Sequence, residues 1–308
     1  MTRARPCRRW PAAGWLFVAP ALAAIAAFFF VPVAAAVVLS ATDFDIYALA
    51  SRANLRFVGV ANYARLLGDP LFWIALRNTA VFAAVAAPLS IAISLAAALL
   101  VDARGVRLRG LFRTALFVPV VTTLVAAAVV WRYLYHPRVG LVNRALAQLG
   151  VAPIDWLGDP RWAMAAIIVM AVWKNFGFNM VIFVAGLQSI PERLYEAASV
   201  DGAGRWETFR HVTLPMLGPT FAFVLIMTMV GYLQLFAEPY VMTQGGPSNA
   251  TLSVVLFTYF EGFRWWNLGY AAAASFVLFA IILALTVVAT RFTALGRPLA
   301  AERGAGRR

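Results

Sequence analysis

The sequence predicts an all-α integral membrane protein with six transmembrane helices and both termini in the cytoplasm. Three observations lead there. The 308-residue chain is 63% hydrophobic and 13% charged, against about 45–50% apolar and about 25% charged in soluble domains. Six segments reach the roughly 20 apolar residues that a helix needs to cross about 30 Å of hydrocarbon. Arginine gathers in alternate loops, the pattern that places basic loops inside.

The spans are expected at about Gly14–Ser40, Asn78–Val101, Thr114–Leu134, Ala163–Ala185, Gly218–Ala237 and Tyr270–Thr290. Pro20, Pro32, Pro88 and Pro119 fall in or near them, which lipid tolerates where neighbouring groups satisfy the freed carbonyls. The first run follows Arg3, Arg5, Arg8 and Arg9 but is longer than a signal-peptide core of 7–15 residues, so it reads as a retained span. Arg104, Arg107, Arg109 and Arg113 mark one inner loop, and Arg291, Arg297, Arg303, Arg307 and Arg308 mark an inner tail. The expected organisation is a basic tail over 1–13, a six-span membrane domain over 14–290 and a basic tail over 291–308. The outer loops, at about 41–77, 135–162 and 238–269, are sparser in arginine. They carry Trp73, Tyr133, Tyr135, Trp162, Trp265 and Trp266 near span ends, as an interfacial aromatic belt would. A short helix is expected in the first outer loop, near Asn62–Tyr63 and Asp69–Pro70.

Several functions are excluded by residue type. The formal net charge is +13, but no basic stripe with interleaved aromatics points to nucleic acid. Cys7 is the only cysteine, and His136 and His211 are the only histidines, so no metal-ligand cluster can be assembled from them. Lys174 is the only lysine and is followed by Asn175, so no GxxxxGK[ST] phosphate loop exists. No catalytic residue, metal or cofactor is expected.

The inner loop from Leu187 to Pro219 departs from a plain connector. Ser189 and Glu192 have capping-box spacing, and Pro191 suits a first turn. A helix is expected from about Ile190 to Val200, ended by a turn at Gly202. A second should run from about Arg205 to Val212 and stop before Pro215. Ala197 and Ala198 offer a smooth face, while Glu196 and Asp201 offer charge. Asp201 sits at the wrong helix end for an anion, so it is expected to cap the next helix or to meet a partner.

The run Glu196-Ala197-Ala198-x-x-Asp201-Gly202-Ala203, followed by Phe209, Pro215 and Pro219, resembles the EAA motif of ABC-importer permeases. Trp173-Lys174-Asn175-x-Gly177-Phe178, Ala185-Gly186-Leu187-Gln188, Gly245-Gly246-Pro247 with Thr251, and Asn62-Tyr63 resemble further elements of the sugar-type members, of the maltose F-type and glycerol-phosphate A-type. The resemblance covers about 14–290. It implies a MetI-like fold in a bacterial inner membrane and a coupling loop over 187–219. Glu196, Ala197, Ala198, Asp201, Gly202 and Ala203 would dock on an ATPase subunit there. It also implies a second homologous permease, two ATP-binding subunits that hold the ATP, and an extracytoplasmic solute-binding protein. The solute would be a sugar, oligosaccharide, polyol or glycerol-phosphate-like molecule.

Candidate solute contacts follow from polar and aromatic residues inside spans. Lys174 must face a polar partner, since a bare central charge costs at least about 2.5–3.5 kcal/mol. Solute, partner chain and helix carbonyls are each open to it. Asn175 and Asn179 share a helix face, with Phe178 beside them. Tyr232, Gln234, Phe236 and Glu238 lie near the outer end of the fifth span. Amides and aromatic rings suit hydroxyl-rich solutes, and the resemblance implies contacts at Asn175, Phe178, Tyr232 and Gln234. An ion-coupled transporter would instead need carboxylates inside spans. Here Glu238 is expected only at an edge. A membrane enzyme would need paired carboxylates or a histidine-rich site, and neither is present.

Overall fold

The computed structural model describes residues 11–50, 55–103 and 107–295. Cys7, the arginines at 3, 5, 8 and 9, Arg104, and Arg297, Arg303, Arg307 and Arg308 lie outside them, as does most of both tails. Every regular element among the described residues is helical. In chain order these are α1 (Pro11–Ile25), α2 (Val31–Ser40), α3 (Ile46–Ala50), α4 (Ala61–Leu67), α5 (Pro70–Asp102), α6 (Arg109–Val121), α7 (Leu124–Leu134) and α8 (Leu141–Gln148). There follow α9 (Pro160–Gln188), α10 (Glu192–Val200), α11 (Arg205–Thr208), α12 (Leu214–Met216), α13 (Gly218–Leu233), α14 (Ala237–Met242), α15 (Val254–Tyr259) and α16 (Leu268–Leu295). π-turns at Ala26–Phe30, Phe209–Thr213 and Phe260–Arg264 join consecutive helices.

The chain divides into two units, Met1–Gly68 with Tyr259–Phe276 and Asp69–Thr258 with Val277–Arg308. In the first unit, α1, the π-turn and α2 form an apolar stretch, Trp15–Ser40, with no buried residue in its most apolar window. Its C-terminal carbonyls need partners. Asn62, on α4, donates to the carbonyls of Ser40 at 2.9 Å and Thr42 at 2.7 Å. The Tyr63 and Ser40 hydroxyls lie 2.8 Å apart. Asn62 and Tyr63 therefore lock the chain as it leaves the span. The Arg65 guanidinium stacks over Tyr270, 4.4 Å from the ring centre.

In the second unit α5 and α9 form the central pair. The buried face of α5 runs through Phe82, Ala83, Ala86, Ala87, Ser90, Ile91, Ser94 and Ala98, steps of three and four that align on one side. Small residues dominate it, as close helix packing in lipid favours. Opposite lie Ala166, Ile167, Met170, Ala171 and Phe183 of α9. The Ser94 hydroxyl donates to the Phe176 carbonyl at 2.8 Å across the pair. Aspartates cap both helices: Asp69 accepts from Leu71 N–H at 2.8 Å and Asp159 from Arg161 N–H at 2.9 Å. The Arg161 N–H, with its side chain, holds the Asp159 carboxyl below the usual carboxylate range.

The expected spans and aromatic belt are corrected at several points. The second helix starts at Pro70 rather than Asn78, because Asp69-Pro70 forms its cap and first turn. The third is no single rod: α6 and α7 meet at 94°. Pro119 cannot donate to the ladder, the Thr122 hydroxyl donates to Pro119 O at 2.7 Å, and Thr122 and Thr123 are extended at ψ 147° and 140°. The fifth breaks after Leu233 and resumes as α14. Tyr135 belongs to no interfacial belt; it is buried, and its hydroxyl donates to Ala166 O at 3.1 Å.

α6 approaches α9 closely at Gly177, where a Cβ would lie 2.3 Å from Leu116 O. Gly177→Val should force these helices apart at about 1–3 kcal/mol. A fall in Tm of the purified protein would show it, whereas Gly231→Ala, where a Cβ meets nothing within 4 Å, should hold Tm or raise it slightly, since alanine is the better helix former.

Candidate functional site

Two sites emerge along one helix, one at the C-terminus of α9 and one at its middle. At the C-terminus of α9, Ser189 acts as its cap, donating from Oγ to Gly186 O at 2.7 Å. The Ser189–Glu192 capping box is therefore not formed. α10 begins at Glu192 with Pro191 as N-cap, two residues later than the expected Ile190. Its end is a Schellman turn. Gly202 takes φ +77°, its N–H donates to Ser199 O at 3.1 Å, and Ala203 N–H donates to Ala198 O at 2.9 Å. A left-handed conformation is costly for residues with a Cβ, which explains glycine here.

Asp201 is exposed and does not cap the next helix, whose N-cap is Gly204, with Gly204 N–H donating to Glu207 at 2.8 Å. Helical backbone then continues through the π-turn and α12, past Pro215 rather than stopping before it. Pro215 follows directly on the π-turn, where the regular helical ladder is already interrupted. Of the Ala197–Ala198 face, Ala197 is exposed but Ala198 is buried inward. The outward surface is Glu196, Ala197, Asp201 and Gly202, flanked by Val200 at 88% and Trp206 at 69% exposure. Ala203 is half-buried. Gln188 donates to Asp102 at 3.2 Å, which ties the loop's root to the end of α5.

The second site is a cavity of about 400 Å³ between the middle of α9 and the α13–α14 break. Asn175, Phe178, Tyr232 and Gln234 all line it, as do Phe82, Asn179, Thr228 and Glu238. The break in the fifth span positions the last group: helix ends at Leu233, Gln234 caps it, and Glu238 enters in the first turn of α14. Behind them, Ser253 Oγ donates to Leu235 O, and Asn78 donates to Asn249 O at 2.8 Å and Leu252 O at 3.0 Å. The Gly245-Gly246-Pro247 loop is held the same way, by Thr251 donating to Gly246 O at 2.8 Å.

Lys174 is not among the lining residues. It is 7% exposed, and its ammonium donates to Val120 O at 3.0 Å. Val120 lies in the last turn of α6, where carbonyls lose their helical partners. Of the three partners open to Lys174 in the sequence, the structure gives it a helix carbonyl. Glu238, four residues from the end of the apolar stretch Gly218–Met242, is 7% exposed and lines the cavity. The sign of its role was a lone carboxylate in an apolar run. Thr228, which accepts from Asn179 Nδ2 at 2.9 Å, had no such sign.

Residues 103–295 match the family described as binding-protein-dependent transport system inner membrane component. The chain belongs to this family. The permease is 40% identical over 278 residues to the lactose transport system permease protein LacF of Rhizobium radiobacter, covering 89% of this chain and 91% of that one. It is 32% identical over 284 residues to the arabinooligosaccharides transport system permease protein AraP of Bacillus subtilis, covering 92% and 88%. A chain of the bacterial alginate ABC transporter superposes with a TM-score of 0.78 at 21% identity, covering 92% of this chain and 94% of that one. The permease thus has the all-helical MetI-like fold.

Removing the Lys174 ammonium would leave the part-buried Val120 carbonyl without this partner, at about 1–3 kcal/mol. It would also strip Glu238 of the opposite charge that it senses. Lys174→Met should therefore lower Tm clearly. The K174M/E238Q pair should lose less than the two single changes added together, as read by a double-mutant cycle on Tm.

Proposed function

We propose that this permease is one of two homologous membrane subunits of a binding-protein-dependent ABC importer. Its solute is a sugar, oligosaccharide, polyol or glycerol-phosphate-like molecule. It crosses a bacterial inner membrane six times, with both termini cytoplasmic. Five long apolar helices, with α6 and α7 counted as one bent span, support that number, and the arginine-rich loop at 102–113 supports the orientation.

The observation that carries the reading is the pair of sites on α9. One end continues into a capped, outward-facing helix that bears Glu196, Ala197, Asp201 and Gly202. The middle carries Asn175 and Phe178 into a cavity of amides and aromatic faces. Amides match the hydroxyls of a sugar, because an unmatched buried partner is costly, and Phe178, half-exposed at 49%, offers a ring face for stacking.

On this reading two ATP-binding subunits hold the ATP and take α10 into a surface cleft. Val200 and Trp206 supply apolar contact there, and Glu196 and Asp201 supply charge. Closure of the ATPase pair moves α10, and the cavity alternates between the two sides of the membrane. An external binding protein delivers the solute. The permease itself makes and breaks no covalent bond; it binds, orients and transmits.

Glu196→Ala and Gly202→Asp should each abolish uptake while membrane abundance stays normal. Normal uptake in both would remove the coupling role of this loop. Asn175→Ala and Gln234→Ala should instead lower solute affinity, with the ATPase still assembled on the complex. Co-purification of the ATPase with each variant separates the two kinds of loss.

A further inference from the structure

We infer that Glu238 sets the charge selectivity of the cavity, which accepts neutral hydroxyl-rich solutes and disfavours phosphate- or carboxylate-bearing ones. The inference rests on the proposed function and narrows it, since that reading admits both kinds of solute.

Three observations carry it. First, Glu238 is the only formally charged side chain among the described residues that line the cavity, and it is nine-tenths buried. Second, the cation that would welcome an anion is turned elsewhere. Lys174 lies outside the lining, and its ammonium holds Val120 O. Third, the amides are already oriented as acceptors. Asn175 Nδ2 donates to Ala171 O at 3.0 Å, Asn179 Nδ2 to Thr228 Oγ1 at 2.9 Å and Gln234 Nε2 to Val230 O at 3.1 Å. Each commits an N–H to the protein, so the carbonyl oxygen, which can only accept, is turned away from that bond.

A sugar hydroxyl both donates and accepts, so it can satisfy such a lining. A phosphate or carboxylate oxygen only accepts, and it would face carbonyl oxygens and a carboxylate with no cation to offset them. The opposing contributions are smaller. The N-termini of α7 and α14, whose Leu124 and Ala237 line the cavity, each carry at most about half a positive charge, and the Glu238 carboxyl sits in the first turn of α14, where it offsets that end. The remaining donors, the Tyr232 and Thr228 hydroxyls, the second amide hydrogens and the backbone N–H groups at the start of α14, are neutral. Lys174 balances Glu238 electrostatically, but the carboxylate is the member of the pair that meets the solute.

The test uses the complete importer in nanodiscs and matched neutral and anionic probes. Lactose with lactobionate, glycerol with sn-glycerol 3-phosphate, and arabinose with arabinonate are titrated by tryptophan fluorescence. In the native complex the neutral member of each pair that binds should bind at least about tenfold tighter. In E238Q the gap should shrink to about threefold or less, through gained affinity for the anion. K174M/E238Q, which removes both charges, carries the same expectation and covers a failure of E238Q to assemble. Equal affinity within pairs in the native complex, or an unchanged ratio in both variants, would overturn the inference. Failure of the proposed function looks different: no probe binds, or N175A and Q234A bind every probe as the native complex does.

Discussion

A membrane forbids what a soluble protein can leave to water: a backbone carbonyl in hydrocarbon must be satisfied from within the chain. The break in the third span is where this permease meets that constraint, and the bond from Lys174 to Val120 O is its answer. Pro119 and the extended Thr122–Thr123 pair end α6 in mid-bundle. The end survives because a lysine from α9 reaches its last turn. The same lysine is tolerable in the bundle only because that carbonyl and Glu238 are there to receive its charge. Two features that would each be destabilising alone are thus made compatible by one contact. The cavity forms beside it, with Leu124 of α7 on one wall and Asn175 of α9 on another.

How much of this could be read from the residues follows from which physics each feature depends on. Spans depend on summed hydrophobicity, and Trp15–Ser40 or Pro160–Gln188 carry that signal along their whole length. The Gly202 turn depends on one residue's backbone freedom, and the glycine announces it. Breaks are harder. Pro88 lies inside α5 without ending it, whereas Pro119 precedes a bend of 94°. The difference lies in what surrounds the freed carbonyls, which no local pattern encodes. Ser189 shows the same limit. Its spacing to Glu192 fits a capping box, but α9 runs three residues past the expected Ala185, so the serine closes α9 instead of opening α10. Ala198 reads as surface from its size and proves to be the buried C3 position of the Schellman turn.

The cavity residues divide along the same line. Asn175, Phe178, Tyr232 and Gln234 stand out because polar and aromatic groups are conspicuous in apolar helices, and the fold brings all four together. Lys174 was conspicuous for the same reason and serves a different end. Rotation about the helix separates them: residues 174 and 175 are adjacent in sequence and about 100° apart around α9. One faces α6 and the other the cavity. Periodicity alone identifies that they differ, but only the position of the α6 end decides which of them meets a backbone carbonyl.

The geometry also bears on how a signal could cross the permease. Asn175 and Gln188 lie on one uninterrupted helix, 13 residues or about 20 Å apart. Ser189 caps that helix, and α10 begins three residues after it, so little slack separates the outward-facing loop from the rod that carries half the cavity wall. The opposite wall is built differently. It comes from the α13–α14 break, held from behind by Ser253 and the loop around Thr251 rather than by a continuous helix. A displacement at α10 would therefore be carried rigidly to Asn175 and Phe178, while Gln234 and Glu238 are anchored through other contacts. Relative motion of the two walls is the natural consequence. A cavity that must release its solute needs that kind of asymmetry, because moving both walls together would carry the solute without freeing it.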